Sequence, residues 1–147
     1  MKKMLIMVTS AVLIGVSSLA QKASIFSHSG KAIRGYDPVA YFIEGKPVNG
    51  MDSLVYEWEN ARWYFASRKN LDLFKAAPGR YAPQYGGYCA YGLSNGYKAS
   101  TDPQAWTIVN GKLYLNYNTA VRAEWNKDRE QRIEKAGKNW PVIKDKE

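Results

Sequence analysis

Residues 107–115 read Thr-Ile-Val-Asn-Gly-Lys-Leu-Tyr-Leu, and this stretch gives the clearest local indication of structure in the chain. Asn110-Gly111 separates two short runs that are rich in β-branched, aromatic and aliphatic residues. A tight hairpin turn needs positive φ at its central residues, and Asn followed by Gly adopts that conformation readily. The stretch therefore predicts an antiparallel hairpin.

A second hairpin is predicted upstream of this one. Residues 54–58 and 62–65 are aromatic and β-branched runs that flank a short polar break at residues 59–61. Ser67 follows the second run, and its hydroxyl can cap a helix that we expect to end near Ala77. This part of the chain therefore predicts a strand, a turn, a second strand and a helix.

Three further helical segments complete the predicted architecture. Asp37-Pro38 and Asp102-Pro103 each combine a capping carboxylate with a proline suited to the first helical position. A long charged helix is predicted from Thr119, with Trp125 on its apolar face. The predicted fold class is α+β, a small antiparallel sheet built from hairpins with packed helices, including a long C-terminal helix.

The first 20 residues have the three parts of a secretory signal peptide. Lys2 and Lys3 form a short basic region, residues 4–16 are mainly apolar, and small residues precede a predicted cleavage after Ala20. The apolar run is shorter than the roughly 20 residues that a membrane-spanning helix needs. We therefore expect an exported protein, periplasmic or secreted, with no stable membrane span after cleavage.

The mature chain is expected to hold one domain. Residues 21–34 are polar and weakly patterned, which is typical of a flexible leader. The domain itself is predicted over residues 35–143, and residues 144–147 are expected to form a tail. No repeat or internal linker divides this part of the chain.

The charge of the chain limits the class of partner. The formal net charge is +8, and removal of Lys2 and Lys3 with the signal peptide lowers it by two, to +6. This balance favours an anionic surface or a protein partner. The basic residues are dispersed among acidic ones and form no compact block interleaved with aromatic residues, so no nucleic-acid partner is expected.

Residues 85–91, Tyr-Gly-Gly-Tyr-Cys-Ala-Tyr, are the main candidate for a binding site. Gly86 and Gly87 permit a backbone path that is closed to other residues. Pockets are generally apolar with a few polar groups, and the residues that we expect to line one are Asp37, Tyr41, Tyr85, Gly86, Gly87, Tyr88, Cys89 and Tyr117. The alternative is that these rings form the core beneath the sheet.

Cys89 is the only cysteine in the chain. In an oxidising compartment it has no partner within its own chain for a disulfide. One interpretation is a buried thiol that acts as a small hydrophobic group. The functional interpretations are a redox thiol, an intermolecular disulfide or a ligand for a soft metal, with a copper or zinc ion as the candidate cofactor.

Two groups of residues resemble the YHS-domain family. The signature of an aromatic strand entering a helix is similar to Trp63-Tyr64-Phe65-Ala66-Ser67 with Asn70, Phe74, Pro78 and Tyr81, and residues 35–39 resemble the Asp-Pro-Val opening. Residues 85–90 and 111–118 resemble segments of an exported branch of that family. The resemblance extends over roughly residues 34–143.

The resemblance also carries an expectation about metal binding. In the metal-handling members, cysteines follow the Asp-Pro-Val opening and stand within and after the aromatic strand. The matching positions here are Ala40, Ala66 and Asn70, and none of these side chains is a soft-metal ligand. The thiolate metal site of the family is therefore not expected at these positions.

These observations predict an exported small binding or accessory domain that holds a soft metal ion or a small ligand near Cys89. The alternative is a protein-interaction module with no small ligand. A thiol-dependent enzyme has less support, because Cys89 would need a neighbouring base and His28 is the only histidine. No catalytic residue is assigned.

Overall fold

The structure is a computed structural model that describes residues 23–146. The predicted signal peptide lies outside these residues. Within the described part, no helix has both the length and the apolar character needed to cross a membrane.

The described chain forms an α+β fold, which confirms the predicted class. Its strands are β1 (Ser27–His28), β2 (Lys31–Ala32), β3 (Met51–Trp58), β4 (Ala61–Phe65), β5 (Trp106–Val109) and β6 (Lys112–Leu115). Its helices are α1 (Ala40–Ile43), α2 (Arg68–Ala76), α3 (Pro78–Tyr81), α4 (Ala90–Ser94), α5 (Thr119–Lys127) and α6 (Arg129–Ile143). Short 3-10 helices cover Ile33–Gly35 and Gln84–Gly87.

Both predicted hairpins are present. Asn110 and Gly111 have φ of 50° and 72° between β5 and β6, and Glu59 and Asn60 have φ of 52° and 59° between β3 and β4. Positive φ at both central residues matches the right-handed twist of the paired strands. The turn residues therefore set the register of both hairpins.

The two hairpins lie in separate sheets rather than in the single sheet predicted from the sequence. One sheet has the order β1-β2-β4-β3, and the other contains β5 and β6. Strand β3 pairs with one edge of β4, and β2 pairs with the other edge in parallel, with Lys31 opposite Arg62. The C-terminal hairpin therefore cannot add to that edge.

Residues 23–34 carry more structure than the flexible leader that the sequence predicted. Strands β1 and β2 pair in antiparallel fashion, and Ile25 and Ile33 are buried. The Phe26 N–H donates a hydrogen bond to the Gly86 carbonyl at 2.8 Å. Burial of two isoleucines from a mainly polar segment holds this part of the chain against the domain.

Gly86 is required where this N-terminal segment crosses it. An added Cβ at Gly86 would stand 1.8 Å from the carbonyl oxygen of Ser24, and the glycine has a φ of 61°. Both the close approach and the left-handed backbone exclude a larger residue. The glycine predicted to permit an unusual path therefore permits a crossing of two chain segments.

A buried carboxylate joins three parts of the fold. Asp37 has no exposed surface, and its Oδ1 accepts hydrogen bonds from the Val39 and Ala40 N–H groups at 2.8 and 3.3 Å. Its Oδ2 accepts from the Ala66 N–H and from the Asn70 side-chain amide, both at 2.8 Å. Asp37 thus connects the start of α1 with the end of β4 and the first turn of α2.

Two clusters of buried side chains form the core. Trp63, Phe65 and Phe74 pack their rings together between the four-stranded sheet and α2. Trp125 and Tyr114 belong to the second cluster, between the β5–β6 hairpin and the C-terminal helices. Each amphipathic element therefore buries its apolar side against a partner.

The long C-terminal helix is divided into α5 and α6. It begins as predicted at Thr119, where the Asn118 side chain accepts a hydrogen bond from the Val121 N–H at 2.8 Å. Asp128, with φ of −140° and ψ of 38°, interrupts the helix, and its carboxylate accepts from Arg132 Nε at 2.6 Å. The break lets Trp125 and α6 pack against the same cluster.

We expect Asp37→Asn to lower the free energy of unfolding by about 3 kcal/mol. The amide nitrogen of asparagine would face a hydrogen-bond donor on one side of the buried site, because all four partners of Asp37 are N–H groups. Urea unfolding followed by circular dichroism measures the change. Asp52→Asn, which alters an exposed carboxylate paired with Lys31, is the control and should change stability by less than about 0.5 kcal/mol. Equal stability of the two variants would contradict this role of Asp37.

Candidate functional site

The chain has an open polar cavity of about 390 Å³, which we call the Arg34 cavity. It lies between the 3-10 helix Ile33–Gly35, the loop before β5 and Tyr117, which is the second residue after β6. Its lining residues are Arg34, Ser100, Thr101, Asp102, Pro103 and Tyr117. Of the predicted ligand-binding residues, only Tyr117 lines this cavity.

Hydrogen bonds from the walls hold the cavity in shape. Arg34 Nε donates to the Thr101 carbonyl at 3.1 Å, and the Thr101 hydroxyl donates to the Gly87 carbonyl at 2.7 Å. The Tyr41 hydroxyl donates to the Pro103 carbonyl at 2.9 Å from beneath the loop. Tyr41 and Gly87, both predicted to contact a ligand, therefore support the wall from behind.

The backbone at Arg34 is in an uncommon conformation. Ile33 and Arg34 have φ of 49° and 52°, and a β-branched residue such as isoleucine rarely adopts positive φ. Such residues cost about 1–3 kcal/mol each and persist where the surroundings enforce them. Here Ile33 is buried while Arg34 is exposed and lines the cavity, so burial of the isoleucine fixes the position of the arginine.

Several polar groups of the cavity have no partner in the described part of the chain. They are the terminal guanidinium nitrogens of Arg34 and the hydroxyl groups of Ser100 and Tyr117. Asp102 Oδ1 accepts from the Gln104 N–H at 2.9 Å, and no described residue donates to its Oδ2. The cavity therefore presents unpaired donors and an unpaired acceptor.

Cys89 is sealed in the interior, with 2% of its surface exposed. Its thiol lies 3.5 Å from Asn116 Oδ1 and donates to it. Burial raises the pKa of the Cys89 thiol, although the backbone N–H groups of Gly92, Tyr117 and Tyr91 act in the opposite direction. The sulfur is therefore a neutral thiol at neutral pH, and it lines neither of the two cavities described here.

Asn116 was not identified from the sequence, although it is the polar partner of the thiol. It is fully buried, and its Oδ1 also accepts from the Tyr91 N–H at 3.0 Å. Its side-chain nitrogen has no hydrogen-bond partner among residues 23–146. Nothing in the residues around position 116 distinguishes a buried asparagine from one that ends a strand at the surface.

The three positions that the resemblance matched to cysteines, Ala40, Ala66 and Asn70, do converge in space. Ala40, Ala66 and Asn70 each donate to the carboxylate of Asp37, so the carboxylate fills the place between them. Three nitrogen donors and a saturated carboxylate do not fit a soft metal ion. Among the described residues, no group of three or more histidine, cysteine, aspartate or glutamate side chains is placed to hold a metal.

A second cavity of about 300 Å³ lies beside the crossing at Gly86. Its lining includes Tyr85, Gly86 and the two indole rings of Trp58 and Trp140. The Tyr85 ring packs against Trp140 at a centroid distance of 6.2 Å. Two of the predicted ligand-binding residues therefore line this cavity rather than the Arg34 cavity.

The remaining predicted residues are committed to the interior. The Tyr88 hydroxyl donates to the Ala23 carbonyl at 2.6 Å and secures the N-terminal segment. Asp37 and Cys89 are buried and line neither cavity. The eight predicted residues thus do not form one pocket, and the alternative prediction that these rings contribute to the core holds for most of them.

In the part of the chain that the structure describes, the side-chain partner of the Cys89 thiol is the amide of Asn116, which is not a base. His28, the only histidine, is exposed in β1, and no hydrogen bond connects it with Cys89. A buried thiol with a raised pKa is a poor nucleophile. The geometry therefore supports a structural thiol.

The buried tyrosines lead to a prediction about alkaline pH. Burial raises the pKa of Tyr41, Tyr85, Tyr88 and Tyr114 above the ordinary value of 10.0. The unfolded chain therefore loses these protons first, and stability falls as the pH rises above about 10. In a spectrophotometric titration, we expect Tyr41 and Tyr85, which have the largest shifts among the 11 tyrosines, to ionise only as the protein unfolds. Reversible ionisation of all of them with the folded circular dichroism spectrum retained would contradict this assignment, and urea-unfolded protein provides the reference.

Comparison with known proteins gives one family match. The model of the YHS domain matches residues 39–85, which contain α1, the β3–β4 hairpin, α2 and α3. No curated protein and no solved structure matches the chain. The match begins two residues after Asp37 and includes the four residues whose backbone or side-chain N–H groups surround its carboxylate. Residues 39–85 of this protein are therefore a YHS domain.

Proposed function

We propose that the protein is an exported binding or accessory domain that holds a small polar ligand in the Arg34 cavity. The observation that carries this proposal is the set of unpaired polar groups on Arg34, Ser100, Asp102 and Tyr117 around one cavity. Arg34 and Tyr117 are exposed and Ser100 and Asp102 are half-buried, so these groups are open to a ligand, and a ligand that pairs with several of them gains affinity.

The rigidity of the walls supports a ligand site rather than an accidental surface groove. Thr101 and Pro103 are buried, and each is tied by hydrogen bonds to a different part of the fold. Groups that are already fixed lose little conformational freedom when a ligand binds. The loop before β5 is therefore preorganised.

The proposal revises the role expected for Cys89. Its thiol and Asn116 form a buried pair at the end of β6, and Tyr117 follows directly. Asn116 also anchors Asp102, whose N–H donates to the Asn116 carbonyl at 3.0 Å. Cys89 thus supports two cavity residues, Asp102 and Tyr117, through Asn116.

Export is the second part of the proposal, and it rests on the sequence of residues 1–20. Ala23 is the third residue after the predicted cleavage, and its carbonyl is already bound by Tyr88. Cleavage after Ala20 would therefore leave two residues before this bound position.

The export proposal predicts the N-terminus of the mature protein. When the full chain is expressed in a Gram-negative host, the periplasmic fraction should contain a product that begins at Gln21, as measured by N-terminal sequencing. The cytoplasmic fraction provides the uncleaved reference. A product that retains Met1 in every fraction would contradict export.

A ligand screen tests the binding proposal. We expect one class within a panel of free amino acids, dicarboxylates, monosaccharides and nucleosides to raise the melting temperature of the purified wild-type protein. Tyr117→Ala should reduce the affinity, measured by calorimetry, by at least about tenfold, because it removes an unpaired hydroxyl and a ring from the cavity.

Cys89→Ser is the matched variant for the competing site. Serine retains a hydrogen-bond donor toward Asn116 but removes the sulfur. We expect Cys89→Ser to bind the ligand as the wild type does. Loss of binding in Cys89→Ser with normal binding in Tyr117→Ala would place the site at the thiol and contradict the proposal.

A further inference from the structure

We infer that the ligand of the Arg34 cavity is a zwitterion of amino-acid size, with its carboxylate on Arg34 and its ammonium group on Asp102. This inference rests on the proposed function, and it adds the chemical class of the ligand. The cavity volume of about 390 Å³ lies at the small end of the range of about 300–1,000 Å³ for ligand pockets.

Arg34 provides the anion-binding half of the site. Its Nε is occupied by the Thr101 carbonyl, and the two terminal nitrogens have no partner in the described chain. The guanidinium also lies over the Phe26 ring, 5.9 Å from the centroid. A guanidinium fixed on one side and open at its terminal nitrogens matches the two oxygens of a carboxylate.

Asp102 provides the cation-binding half. The Gln104 N–H occupies its Oδ1, and its own N–H is bound to the Asn116 carbonyl. These bonds hold the carboxylate at the cavity, and Oδ2 accepts from no described residue. An ammonium group carries three N–H donors and no acceptor, so it suits this free oxygen.

Arg34 and Asp102 line the same cavity without forming an ion pair with each other in the described structure. Each is anchored separately, Arg34 by Thr101 and Asp102 by Gln104. A simple anion would be attracted by Arg34 and repelled by Asp102, and a simple cation would meet the reverse arrangement. A molecule that carries both charges satisfies both groups at once.

The other cavity also has charges of both signs, but they are less well fixed. Glu59 belongs to the turn between β3 and β4, and Lys144 follows α6. Neither side chain makes a hydrogen bond within the described part of the chain. The Arg34 cavity is therefore the better defined of the two sites.

The first experiment measures binding of the 20 standard amino acids to the wild-type protein by thermal shift. The amino acid with the largest shift is then titrated by calorimetry beside its N-acetyl derivative and its carboxamide. The first derivative lacks the ammonium charge, and the second lacks the carboxylate. We expect each derivative to bind at least about tenfold more weakly than the free amino acid.

Two variants assign each half of the ligand to a residue. Asp102→Asn retains the acceptor for the Gln104 N–H but removes the charge. This variant should lower the affinity for the free amino acid by about tenfold and leave the affinity for the N-acetyl derivative unchanged. Arg34→Gln should also lower the affinity for the free amino acid by about tenfold and leave the affinity for the carboxamide unchanged. A loss of folding would not give this crossed pattern, because it would lower the affinity for every compound.

Asp52→Asn and Arg80→Gln are the matched controls, because they make the same changes at exposed residues outside the cavity. Both should bind as the wild type does. Binding of a dicarboxylate or monosaccharide that depends on Tyr117, with no amino acid bound, would overturn this inference and leave the proposed function intact. Absence of binding by the whole panel would overturn both.

Discussion

The carboxylate of Asp37 is the interaction on which the rest of the structure depends. It is buried, and four N–H groups from the start of α1, the end of β4 and the first turns of α2 converge on it. A buried charge is tolerated only when such partners surround it. By fixing α1, Asp37 also fixes Tyr41, whose hydroxyl supports Pro103 in the wall of the Arg34 cavity. The domain core and the cavity are therefore connected through one short helix.

The same arrangement bears on the three positions that the family resemblance matched to cysteines. Positions 40, 66 and 70 approach one point in the fold, as metal-binding positions would need to. In this chain the point is occupied by a carboxylate whose oxygens are already bound by N–H groups. Hydrogen bonds to this carboxylate thus hold together the three segments that carry these positions.

The parts of the fold that the sequence predicted are those controlled by neighbouring residues. Asn110-Gly111 defines one turn, and the Ser67 hydroxyl accepts from the Asn70 N–H at 3.1 Å to begin α2. The assembly of the hairpins into two sheets was not predictable in this way, because it depends on β2 reaching the edge of β4. That pairing involves residues from a segment with no clear periodicity.

The candidate site was predicted less well for the same reason. Cys89 and its aromatic neighbours form an unusual local sequence, but their burial depends on contacts with β6 and α6. Arg34 stands in a segment that reads as polar and irregular, and Asp102 reads only as the cap of a turn. Arg34 comes to lie beside Asp102 because its Nε donates to the carbonyl of Thr101, which is 67 positions later in the chain. No local pattern reports such a pairing.

The crossing of Ser24 over Gly86 has a consequence for the order in which the protein folds. The N-terminal segment is synthesised early, yet the glycine on which it rests and the tyrosine that binds Ala23 come much later in the chain. This edge of the domain cannot form until the middle of the polypeptide has emerged. Docking of residues 23–26 is therefore a late step in folding, which follows the synthesis of Gly86 and Tyr88.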